Sequence, residues 1–192
     1  MRSIRCVAVC LVSSLVVACA PSMALAALES GTIELGVDAM MLHSSYTYDG
    51  EDVATRTDVT LALGLGYCVT NLVELKGGLT FTRASVDPEV GDSSSASAFG
   101  ALAGVALNFG SDGPVVPYVQ GSIGILTYGG DAYEDPEASL ILPRVTGGVR
   151  FLVGDSASVN CGAFWQRLSN AEGVEDLDAS QFGLTIGTSL LF

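Results

Sequence analysis

From Thr32 onward the chain alternates large apolar side chains with small or polar ones. Between Asp58 and Val69, residues Val59, Leu61, Leu63, Leu65, Tyr67 and Val69 share one parity; Asp58, Thr60, Ala62, Gly64, Gly66 and Cys68 share the other. Successive side chains point to opposite faces of a strand, so this period predicts β-strands with one apolar face. The alternation recurs at Thr32–Met41, Val73–Thr82, Phe99–Phe109, Val119–Ile125, Arg144–Val153 and Gln181–Phe192, and more weakly at Ser158–Leu168. Eight strands are predicted. Lengths of about ten residues exceed the usual soluble strand and suit one that crosses a bilayer at a tilt.

The connectors alternate in length. Thr70-Asn71, Gly110–Gly113 and Gly154-Asp155-Ser156 are short, whereas stretches near 43–54, 86–96, 129–138 and 169–178 read as long polar loops. Short turns on one side and long loops on the other are the pattern of an outer-membrane barrel. An even number of strands returns the C-terminus to the side of the N-terminus, so both termini are expected in the periplasm and the four loops outside the cell. A lipid core offers no water to an open sheet edge, so the sheet has to close. The expected fold class is therefore all-β: a transmembrane antiparallel up-and-down barrel, with a lumen that side chains fill.

A soluble barrel alternates as well, but with its apolar face inward. Here the less apolar face is rich in Gly, Ala, Ser and Thr, which suit a narrow interior, and Lys76 is the chain's single lysine. A water-facing surface would carry more Lys and Glu. The 23 glycines and a mean hydropathy of +0.48 fit the same picture.

The first segment departs from the alternation. Arg2 and Arg5 precede an apolar run from Cys6 to Ala20, Pro21 interrupts it, and Ala24-Leu25-Ala26 is a small-x-small cleavage site. Residues 1–26 therefore read as a signal peptide and residues 27–192 as the barrel domain. Leu15-Val16-Val17-Ala18-Cys19 also fits a lipoprotein box, with lipidation at Cys19. Either route exports the chain. Removal of residues 1–26 leaves six basic and 21 acidic side chains, a formal net of −15. So acidic a chain excludes nucleic acid as a partner, because phosphate binding requires a basic surface. Cys68 and Cys161 are too few for a disulfide framework and fall on non-adjacent strands, with Cys161 outward; free thiols are expected.

The motifs GTIELGVDA, VVPYVQGSIGI, GGVRFLV and QFGLTIGTSLLF resemble the small outer-membrane β-barrels of the OmpA/OmpX type, over nearly all of residues 30–192. The resemblance implies outer-membrane lipid or lipopolysaccharide as surroundings and a monomeric barrel. It also implies that the last strand, with Phe182, Leu184, Ile186, Leu190 and Phe192, is the signal read by the barrel-assembly machinery. No peptidoglycan-binding domain follows the barrel in this sequence.

Four constellations are candidates for function. Glu34, Asp38, Asp58, Glu74, Lys76, Arg144 and Arg150 all take the luminal parity. Unpaired charge is costly in a closed lumen, so ion pairs are expected, as a structural plug rather than an ion path. Fourteen of the 21 acidic residues fall in the four long loops. A solvated surface explains them; Asp131, Glu134, Asp135 and Glu137 are the weak candidates for a divalent cation, without EF-hand spacing. His43, followed by Ser44, Ser45 and Asp49, could furnish a Ser/His/acid set at the outer rim, as in barrels that modify lipid A, yet His beside Ser is common by chance. No catalytic residue, metal or cofactor is assigned. Tyr67, Phe109, Tyr118 and Phe192 at one end, and Tyr46, Tyr48, Phe81, Tyr128, Tyr133 and Trp165 towards the other, read as interfacial girdles. The expected role is structural contact at the envelope surface, with a small channel as runner-up and lipid modification third.

Overall fold

The computed structural model describes residues 28–48, 51–88, 94–110, 113–129, 139–172 and 178–192. They form eight strands: β1 (Ile33–Tyr48), β2 (Glu51–Cys68), β3 (Val73–Pro88), β4 (Ser94–Asn108), β5 (Val115–Gly129), β6 (Ser139–Val153), β7 (Ala157–Glu172) and β8 (Asp178–Leu191). Each pairs antiparallel with its neighbour in sequence, and β8 pairs with β1, closing the barrel. Closure removes both sheet edges, the only way a sheet can cross a lipid core.

The strands run 14 to 18 residues, longer than the alternation suggested. Much of what reads as loop in 43–54, 86–96 and 169–178 is strand. β1 continues to Tyr48 and β2 begins at Glu51, β3 ends at Pro88 and β4 starts at Ser94, and β7 reaches Glu172. The reason is physical. Past the lipid boundary the outward face no longer has to be apolar, so the alternation fades while backbone pairing continues. The strands extend beyond the lipid mainly at the end away from the termini, hereafter the loop end.

The two faces are inverted relative to a water-soluble barrel. Outward residues are apolar and exposed, with Leu63 60% and Leu65 58% accessible, while inward Thr80 and Arg150 are each at 1%. Soluble monomers rarely expose an apolar surface of this extent. Only a solvent as apolar as the girdle makes the arrangement stable.

Small inward residues let neighbouring strands and luminal side chains fit. At Gly104 on β4, a methyl group would overlap the Gly121 carbonyl oxygen and stand 2.9 Å from Ser122 Cα, both on β5. Backbone cannot yield as a flexible side chain can. Gly104→Ala is expected to lower stability by about 1–3 kcal/mol, the usual cost of overpacking, measured by urea titration of the refolded protein in lipid vesicles.

Beside register shifts at Tyr46/Thr47 in β1 and at Ser139/Leu140 in β6, two further irregularities mark the wall. The β6–β7 ladder is interrupted between Ile141–Ser169 and Arg144–Gln166, where Pro143 has no N–H to donate. The closing ladder between β1 and β8 spans only Glu34–Leu191 to Met41–Leu184, whereas β1 pairs with β2 from Ile33–Tyr67 to Tyr48–Glu51.

Candidate functional site

The polar residues of the described barrel converge in its lumen. All seven charged residues of luminal parity sit inside: Glu34 and Asp38 on β1, Asp58 on β2, Glu74 and Lys76 on β3, Arg144 and Arg150 on β6. The fold brings four of them together. Arg150 Nη2 lies 2.9 Å from Glu34 Oε2 and 3.1 Å from Glu74 Oε2. Lys76 Nζ lies 3.1 Å from Glu34 Oε1 and 3.5 Å from Glu74 Oε1. Two carboxylates and two cations thus close a neutral ring that links β1, β3 and β6 across the lumen. Ser189 Oγ donates to Glu34 Oε1 at 2.6 Å and accepts from Asn160 Nδ2 at 3.0 Å, tying β7 and β8 to the same carboxylate. Arg150 also lies over the Tyr118 ring, 5.9 Å from its centroid.

The remaining three charges stand apart from the ring. Arg144 is held by neutral groups: its Nε and Nη2 donate to Gln166 Oε1 at 3.0 and 2.8 Å, and Nη1 approaches Met40 Sδ at 3.0 Å. Its guanidinium lies over Phe164, 5.1 Å from the centroid. Gln166 Nε2 donates in turn to Gln181 Oε1 at 2.7 Å. Asp58 is buried farther toward the loop end, beside Thr60 and Thr82, whose hydroxyls are 2.7 Å apart. Asp38 lines the cavity left between the ring and Arg144.

That cavity measures about 80 Å³, and Tyr118, Gln120, Ser122 and Thr185 complete its wall. Its size admits several waters, each of which takes up about 10–15 Å³ measured this way, and no drug-sized ligand. Below the ring, at the termini end, Leu28, Cys68, Val116, Leu152 and Leu191 form an apolar cluster. Side chains thus span the lumen at three levels: an apolar floor, an ionic ring, and the Arg144–Gln166–Gln181 crossbar.

The other candidates are placed as follows. Asp131, Glu134, Asp135 and Glu137 lie outside the described residues, as do Asp49, Tyr133 and residues 1–27. His43, Ser44 and Ser45 continue β1, opposite Thr57, Arg56 and Thr55 of β2. Phe182, Leu184, Leu190 and Phe192 are strongly exposed on the outward face of β8, and Ile186 shares their parity. Cys68 is buried, Cys161 is outward and half-buried, and both are free.

Tyr118 corrects the girdle assignment: it points inward, 7% exposed, against Arg150. Pro117 and the valines on both of its faces obscure the alternation there, yet Tyr118 shares the parity of Gln120, and that signal was available. Gln166 and Gln181 complete the crossbar from Arg144, and Phe164 lies under its guanidinium; the alternation puts Gln181 on the luminal parity, whereas Phe164 and Gln166 fall in its weakest stretch, Ser158–Leu168. Phe164 shares the parity of Asn160, which the adjacent Trp165 masks.

Comparison with known proteins bears on this architecture. No curated protein matches the sequence. The structure is similar to the crystal structure of Neisserial surface protein A, from Neisseria, at 18% identity over 85% of this chain and 98% of that one, with a TM-score of 0.60. It is also similar to the outer membrane protein OprG of Pseudomonas aeruginosa, at 11% identity over 88% and 99% of the two chains, with a TM-score of 0.53. At such identities the likeness concerns the fold. The family model described as outer membrane protein beta-barrel domain matches residues 12–189, nearly the whole sequence, and the chain belongs to that family of outer-membrane barrels.

Proposed function

We propose that the protein is a non-conducting, non-enzymatic barrel that serves as a membrane anchor for its loop end, contributing to envelope structure and surface contact. The observation that carries this reading is the crossed lumen: an ionic ring and a crossbar span it, and the cavity between them measures about 80 Å³. With the interior given over to internal pairing, what is left to meet a partner is the outer wall, for lipid and lipopolysaccharide, and the acidic loop end. In this reading residues 1–26 are removed on export, both termini and the short turns face the periplasm, and the loop end faces outward. The exposed apolar side chains of β8, ending at Phe192, are the surface that the assembly machinery engages.

The experiment combines electrophysiology with topology mapping. Purified protein in planar bilayers is expected to give no unitary conductance steps; regular steps would favour the small-channel reading. An epitope inserted within residues 130–138 is expected to be reached by antibody on intact cells, and one at Asp155 only after the outer membrane is permeabilised. The reverse labelling would overturn the orientation. An altered lipid A mass on expression would reject the non-enzymatic assignment.

A further inference from the structure

The apolar floor of the lumen contains one residue that no strand supplies. Leu28 precedes β1, yet it is fully buried. It clusters with Cys68 of β2, Val116 of β5, Leu152 of β6 and Leu191 of β8. In an eight-stranded ring β5 and β6 stand across the lumen from β1 and β2, so Leu28 sits beneath the mouth rather than against one wall. The chain reaches that position through a defined turn. Gly31 adopts φ +94°, a left-handed conformation that glycine accepts without strain. Gly31 N–H donates to the Cys68 carbonyl at 2.8 Å, Cys68 N–H to the Thr32 carbonyl at 2.9 Å, and Thr32 N–H to the Glu29 carbonyl at 3.2 Å. Ser30 Oγ donates to the Val69 carbonyl at 2.8 Å. Residues 29–32 are thereby fastened to the end of β2, and the leucine is folded under the barrel.

We infer that residues 28–32 are a built-in strap whose leucine stoppers the terminal mouth of the barrel and keeps water from reaching the ionic ring from that side. The register places the ring directly on this floor. Leu191 pairs with Glu34, Cys68 with Glu74, and Val116 with Arg150. A buried ion ring is strongest where water is excluded, because the local dielectric is low. The other four floor residues belong to strands of the wall, whereas Leu28 is carried by the turn that precedes β1.

Cys68, buried in the floor, is a native reporter. The exported protein, refolded in lipid vesicles, is treated with a charged methanethiosulfonate reagent that forms a mixed disulfide with an accessible thiol. Modification at Cys68 is read by peptide mass, so the other cysteines do not interfere. The wild-type thiol is expected to react far more slowly than in the urea-unfolded chain. Leu28→Gly is expected to speed the reaction at least about tenfold, since tenfold needs only about 1.4 kcal/mol, less than the full burial of a leucine contributes. Leu28→Met keeps the floor filled and should stay protected. Leu152→Ala, which thins the floor from the opposite wall, is a second route to the same exposure. Heat-modifiability on gels verifies that each variant is a closed barrel. An unchanged rate in folded Leu28→Gly or Leu152→Ala overturns the inference, as does a wild-type thiol that reacts as fast as in the unfolded chain. Conductance does not enter, because the ionic ring alone would block ions; failure of the strap and failure of the non-conducting reading are therefore separate results.

Discussion

Arg150→Met is expected to destabilise the folded barrel by about 3–5 kcal/mol, the range for breaking a buried ion pair by removing one partner. Arg150 is 1% exposed and its Nη2 contacts both carboxylates of the ring. Without it, Lys76 alone faces Glu34 and Glu74. One carboxylate then keeps an uncompensated charge in a space without bulk water, or takes up a proton to escape it. Methionine fills much of the arginine stem's volume, so a cavity contributes little to the loss. The decisive companion is the double variant Arg150→Met/Glu74→Leu. It removes one charge of each sign and leaves Glu34 with Lys76 and the Ser189 hydroxyl. Replacing a whole buried pair by apolar groups is often neutral, so the double variant should recover most of what the single one loses. The measurement is reversible urea unfolding in lipid vesicles, followed by tryptophan fluorescence from Trp165. If the two losses simply add, the ring is not an energetic unit.

The second large effect concerns the outer wall. Leu63→Arg places a guanidinium near the middle of the apolar girdle on β2, on a side chain that is 60% exposed. In a membrane barrel such a charge costs about 2–4 kcal/mol at the midplane and about 0–1 near an interface. Val69→Arg, on the same face beyond the end of β2, is therefore the control and should be tolerated. In a barrel whose outer wall met water, both substitutions would be near neutral, so the contrast between positions measures the lipid directly.

The fold was legible because lipid imposes the simplest of patterns. Each strand within the girdle must show apolar side chains on one parity and compact or polar ones on the other, and Leu61, Leu63 and Leu65 against Ala62, Gly64 and Gly66 show this without help from tertiary context. Outside the girdle that constraint lapses, so the strand formed by His43–Tyr48 reads as loop. The lumen was half legible. Parity sends seven charges inward, but which of them meet depends on the stagger between strands. Arg150 and Glu74 are 76 positions apart and belong to strands that do not pair, and nothing local in the sequence distinguishes Arg150, which joins the ring, from Arg144, which rests on Gln166 and Phe164. Leu28 was invisible for another reason. A single apolar residue before the first strand has no period to betray it.

The short closing ladder between β1 and β8 gives the barrel a built-in fault line. Every other junction joins strands consecutive in the chain, so a breach there is held by a nearby turn and readily re-forms. At the β1–β8 junction the partners lie at opposite ends of the polypeptide, and their pairing stops at Met41–Leu184 while both strands continue toward the loop end. Thermal fraying should begin at that notch and run downward, like a zip with its slider left part-way.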